Sequence, residues 1–78
     1  MKSTDMIRMA NQIATYFKSY PHEEAVAETA GHIKSFWDPR MRDALYAHVG
    51  SGGSGLDDLV REAVAVLKPA ASGDKVVG

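Results

Sequence analysis

The sequence predicts an all-α protein: a small bundle of four short helices with a disordered C-terminal tail. Three observations predict it. Apolar residues recur at steps of three and four in four separate stretches, the period of a helix that buries one face. Each stretch is bounded by a residue that starts or stops a helix, among them Pro21, the Asp38-Pro39 step, Gly50 and Pro69. With only 78 residues there is room for one domain at most. The reading is a single helical domain over 1–68, with helices at about 4–20, 22–36, 39–49 and 55–68, and a flexible tail over 69–78.

For the first helix, Ser3 or Thr4 is the expected cap, since a short side-chain oxygen there accepts from free backbone N–H groups. Met6, Met9, Ala10, Ile13, Phe17 and Tyr20 make its apolar stripe. Pro21 should stop it, because the residue before a proline is driven away from helical angles. A second helix follows, with Glu23 and Glu24 in the first turn, where the helix dipole favours carboxylates. Val26, Ala30, Ile33 and either Phe36 or Trp37 form its buried stripe. Gly31 inside this helix costs about 1 kcal/mol relative to alanine. A close crossing with the first helix at that point would account for it.

"WDPRM", residues 37–41, marks a break and a third start, with Asp38 as N-cap and Pro39 as first helical residue. Met41, Leu45 and Val49 then face inward, and Gly50 suits the left-handed position past the helix end. "GSGGSG", residues 50–55, reads as a flexible connector by composition. A phosphate-cradling loop would need a following Gly-Lys-Ser/Thr, which is absent. The fourth helix, with Ser54 as expected cap and Asp57 three residues on, carries Leu56, Leu59, Val60, Ala63, Val64 and Leu67 on one face.

Composition narrows the function. A domain this small buries only about 60% of the surface its unfolded chain exposes, so it commonly needs a staple or a partner. No cysteine is present, which removes disulfides, thiolate metal sites and cysteine nucleophiles. Nine basic and ten acidic residues give a net charge of -1, evenly mixed, against the basic excess that nucleic-acid binding rests on. The longest apolar run, "AVAVL" at 63–67, is far too short to span a membrane, and the first fifteen residues lack a signal-peptide run. The expectation is a soluble cytoplasmic protein that binds neither nucleic acid nor membrane.

Few constellations carry chemistry. Glu24, Glu28 and His32 lie four apart and could offer metal ligands, although such a stripe is ordinarily a solvated face, and no metal site is expected. No serine sits in a Gly-x-Ser-x-Gly elbow, and no catalytic residue is assigned. Arg40 and Arg42, with Lys34 a helix earlier, could clamp a carboxylate or phosphate; equally, they could pair with Asp43, Glu28 or water. Phe36 and Trp37 point about 100° apart on a helix, so both cannot easily enter one core. With Phe36 inside, Trp37 is expected near the surface as an interface anchor. Arg8, Asn11 and Gln12 share a polar flank, where amides can satisfy a partner's backbone groups.

"RMANQIATYFKSYP", "EEAVAETAGHIKSFWDPRMRDAL" and the short final helix together resemble the delta subunit of soluble, molybdenum-containing, NAD-dependent formate dehydrogenases, over roughly residues 6–68. The matching words fall on Arg8 to Ile13, then on His32, Ile33 and Phe36 to Arg42. The Gly-Ser connector departs from the family pattern. The resemblance implies a non-catalytic accessory subunit that itself holds no cofactor stably. Its partner would be the large catalytic subunit, which carries the molybdenum cofactor and iron–sulfur clusters. Further subunits of the complex would hold FMN and pass electrons to NAD. The delta subunit would support assembly, stability or cofactor loading. The absence of cysteine fits a chain that ligates no cluster.

Three functions are thereby set against one another. The first is a docking subunit that uses Arg8, Asn11, Gln12, Trp37, Asp38, Arg40 and Arg42 as partner contacts. The second is an insertion chaperone whose Arg40 and Arg42 bind a guanine nucleotide or the cofactor's phosphates. The third, a nucleic-acid-binding helical module, is opposed by the charge balance. A homo-oligomer of the isolated chain is compatible with the sequence.

Overall fold

The computed structural model describes residues 2–68 and is all-helical there: α1 (Ser3–Phe17), α2 (His22–Phe36), α3 (Pro39–Gly50) and α4 (Asp58–Leu67). The expected tail over 69–78 lies outside the described residues. α2 is the central element, packing most extensively on α4 and next on α1. Met6, Ala10 and Ala14 from α1, Ala25 and Ile33 from α2, Leu45 from α3 and Leu59, Val60 and Val64 from α4 share one core.

The helix ends follow local chemistry, with four departures from expectation. α1 starts one residue early: Lys2 is the N-cap, its carbonyl accepts from Asp5 and Met6, and no side chain caps the end. Ser3 and Thr4 already belong to the first turn and cannot serve as the cap. α1 also stops at Phe17, and the Tyr20 N–H closes a turn back onto the Phe17 carbonyl at 3.0 Å, which lets Pro21 reverse the chain. α3 starts as its sequence requires, with Pro39 in the first turn and Asp38 Oδ1 accepting from the Met41 N–H at 2.9 Å.

The third departure is the connector. Gly50 stays helical, and the left-handed conformations fall at Gly52 (φ 118°), Gly53 (φ 66°) and Gly55 (φ 82°). The Gly52 and Gly53 N–H groups close back onto the Val49 and His48 carbonyls, so the glycines terminate α3 by satisfying its last acceptors. Gly53 is buried, and a Cβ there would sit 3.1 Å from Arg61 Cδ. What composition reads as a flexible linker is a fixed turn. The fourth departure follows from it. Gly55 cannot be helical at its φ, so α4 begins at Asp58, capped by Asp57, whose carboxylate accepts from the Leu59 N–H at 2.9 Å; Ser54 has no capping role.

Inside the core, Thr29 is fully buried and its hydroxyl has no hydrogen-bond partner among the described residues. An unmatched buried hydroxyl costs free energy that a methyl of the same shape does not. Thr29→Val should therefore stabilise the chain by about 1 kcal/mol. Urea unfolding with an unchanged m-value checks this, and a lower midpoint would mean that the hydroxyl is satisfied after all.

Candidate interaction surface

At the α2–α3 corner the structure reverses the expected roles of two aromatics. Trp37 is 5% exposed and Phe36 is 74% exposed. The expectation that Trp37 is a surface anchor assumed that both residues continue the helix. α2 ends at Phe36, and Trp37 is extended (φ -89°, ψ 138°), which removes it from the helical phase and lets it turn under the corner onto the core. The indole is thus core packing, and the outward position passes to Phe36.

Phe36 stands at one end of an apolar groove between α1 and the C-terminal half of α2. Met9, Ile13, Tyr16, His32 and Met41 line its walls, and Trp37 contributes to its floor. Tyr16 is 71% exposed there. The rings form a continuous ladder: Tyr16 stacks edge-on against Phe17 at 4.9 Å, Phe17 meets His32 at 6.3 Å, and His32 meets Phe36 at 4.6 Å. None of the lining residues is a carboxylate, lysine or arginine. An open concavity with two large rings mostly in water, and flexible methionines beside them, has the composition of a docking face.

The polar residues expected to contact a partner are differently placed. Asn11 is committed within the chain: its Nδ2 donates to the Gly55 carbonyl at 2.9 Å and its Oδ1 accepts from the Asp57 N–H at 2.8 Å. The amide does satisfy backbone groups, but those of its own connector. Arg8 pairs with Asp5 at 3.2 Å on the surface, and Asp38 is occupied as the α3 cap. Gln12 is exposed at the edge of the aromatic groove. Arg40 and Arg42, two positions apart on α3, project about 200° from each other. Arg40 borders a cleft with Lys2, Met6 and Ala44, whereas Arg42 lies beside Lys34 and Tyr46. They do not converge on one ligand.

The remaining titratable groups knit helices together. Lys18 on the α1–α2 turn bonds Asp57 at the start of α4; that ammonium holds the Asp57 carboxyl below its usual range against the opposing effect of burial, helped by the Leu59 N–H and Arg61. His22 pairs with Glu62, and the His48 Nε2–H donates to the Ser54 carbonyl at 2.7 Å. Glu24 and Glu28 are exposed, while His32 turns to the aromatic rings. Among the described residues no three His, Cys, Asp or Glu side chains are grouped to hold a metal, and no helix is long and apolar enough to cross a membrane.

The groove, the Asn11 clamp and the Asp38-Pro39 corner all fall inside a segment with a recognisable pattern. No curated protein and no solved structure matches the chain. A family model described as the NADH-dependent formate dehydrogenase delta subunit FdsD matches residues 5–64, which run from α1 into α4. The chain belongs to the NADH-dependent formate dehydrogenase delta subunit family.

Proposed function

We propose that this chain is a non-catalytic accessory subunit in the cytoplasm that docks on the large, molybdenum-bearing catalytic subunit of a formate dehydrogenase and supports its assembly, stability or cofactor loading. The aromatic groove carries the reading, because exposing Tyr16 and Phe36 together on so small a body is costly unless another surface covers them. Molybdenum cofactor, iron–sulfur clusters, FMN and NAD then belong to the other subunits of the complex. The chain has no thiolate to ligate a cluster. Nucleotide or phosphate binding would have to rest on Arg40 or Arg42 singly, since they lie on different sides of α3, and no observation favours it over docking.

Co-expression of tagged chain with the catalytic subunit tests the proposal. Phe36→Ala together with Tyr16→Ala should reduce the recovered catalytic subunit, with affinity lower by about tenfold or more, as truncating two interface anchors does. The melting temperature of the isolated chain should stay within a few degrees of wild type, because both rings are largely solvated. Equal recovery with the double variant would remove the groove from the interface.

A further inference from the structure

The helix penalty of Gly31 is not recovered anywhere within the monomer. Gly31 is exposed, and a Cβ placed on it would meet nothing within 4 Å. The close crossing with α1 expected there is therefore not made, and alanine would form this helix better. Gly31 instead forms the floor of a second groove. Ala27 lies beside it on α2, Tyr46 faces it from α3, and Val66 and Leu67 face it from α4. Val66 is 58% exposed. By helical phase this groove is on the far side of α2 from His32 and Phe36.

Its rim is cationic. Lys34 and Arg42 line it, and the Lys68 ammonium sits 5.5 Å from the centre of the Tyr46 ring. Among the described residues the ion pairs are Arg8–Asp5, Lys18–Asp57, His22–Glu62 and Arg61–Asp58, so none of these three cations has a carboxylate partner. No acidic residue lines the groove. Three unneutralised cations around an apolar floor repel one another and attract a surface of opposite sign.

We infer that this groove is a second docking surface whose occupant is an acidic amphipathic helix of another subunit, crossing α2 at Gly31. The inference rests on the reading that the chain is a docked subunit. A helix is the element that fits. Missing side-chain bulk at Gly31 and Ala27 lets a second helix axis approach closely, and the groove between α2, α3 and α4 offers no free strand edge for an extended segment to join. Apolar residues of that helix cover Val66, Leu67 and the Tyr46 ring, while carboxylates on its flanks meet Lys34, Arg42 and Lys68. With grooves on opposite faces of α2, one small chain can hold two surfaces of the complex together.

The test uses the full chain and the recombinant formate dehydrogenase complex prepared without it. Gly31→Leu should raise the melting temperature of the isolated chain by a few degrees, since it removes a mid-helix glycine at a position where an added Cβ meets nothing within 4 Å, and yet weaken association about tenfold or more. Arg42→Glu should weaken association by a similar factor. Carbodiimide coupling in the assembled complex should join Lys34 and Lys68 to carboxylates of one helical segment of another subunit. Wild-type affinity in Gly31→Leu would overturn the inference, and loss confined to Arg42→Glu would identify a plain anion contact and overturn it equally. In both cases a wild-type chain that still binds would leave the docking reading standing; failure of wild type itself to bind would remove both.

Discussion

Trp37→Ala leaves the chain largely unfolded in buffer at room temperature. The indole is 5% exposed and belongs to the same core as Ile33 and Leu45. Truncating a buried tryptophan costs about 3–5 kcal/mol, the lost transfer free energy together with the cavity left behind. A domain of this size, with no cysteine to form a disulfide and no grouped metal ligands among the described residues, rarely has more than about 3–5 kcal/mol in total. The substitution therefore removes most of the available stability. Far-UV circular dichroism and urea titration should show a chain without a cooperative transition, or one whose midpoint lies close to zero denaturant. Trp37→Phe, which keeps a ring in the site, should fold with a reduced midpoint.

The same experiment separates two roles that co-purification alone confuses. On the docking proposal, a Trp37→Ala chain will fail to recover a catalytic subunit, but through unfolding. On the same proposal, Phe36→Ala should weaken recovery of the catalytic subunit while retaining its melt. A cooperative, near-wild-type unfolding curve for Trp37→Ala would contradict the burial and return the indole to the surface.

That exchange between neighbours marks where the sequence is legible and where it is not. α2 and the start of α3 are readable because their signals are local: Glu23 and Glu24 at the positive end of the helix, and Asp38-Pro39 supplying a cap and a preset φ. Each needs only its own neighbours along the chain. Trp37 is misread because a spacing rule extends the helical phase one residue beyond the point where the backbone leaves it. The six-residue connector is misread for a different reason. Glycine and serine carry no side-chain signal for order, and the order comes from His48, Asn11 and Arg61 elsewhere in the chain. Gly31 suggests a close crossing with α1, and the structure does not make it: a Cβ there would meet nothing within 4 Å, because a glycine marks room for a neighbour without saying which element fills it. The aromatic groove, too, could be found only in three dimensions, since Met9, Tyr16, His32, Phe36 and Met41 come from three helices. A hint was present in the sequence: an aromatic pair at a helix end must leave one ring outside.

Asn11→Leu should destabilise the chain by about 1–3 kcal/mol, the sum of two hydrogen bonds at about 0.5–1.5 kcal/mol each and a large effect for a residue on the surface-facing flank of α1. Leucine has the same number and branching of side-chain heavy atoms and is no smaller, so the loss is not a cavity. It strands two backbone groups at once: the Gly55 carbonyl loses its donor and the Asp57 N–H loses its acceptor. Asp57 is the cap of α4 and the site that Lys18 bonds from the α1–α2 turn, so the amide holds the start of α4 against α1 at the point where those contacts meet. Asn11→Asp makes a sharper probe. Its carboxylate keeps an acceptor for the Asp57 N–H, but it turns an oxygen toward the Gly55 carbonyl and adds a negative charge near the Asp57 carboxylate. It should fall between wild type and Asn11→Leu at acidic pH, where protonation restores a donor, and lose ground as pH rises and the new carboxyl ionises. Thermal melts at several pH values read this directly. If Asn11 were a partner contact, as its sequence position suggests, both variants would melt like wild type and only association would change. The two hydrogen bonds to Gly55 and Asp57 require the opposite order: the fold weakens first, and any loss of binding follows from it.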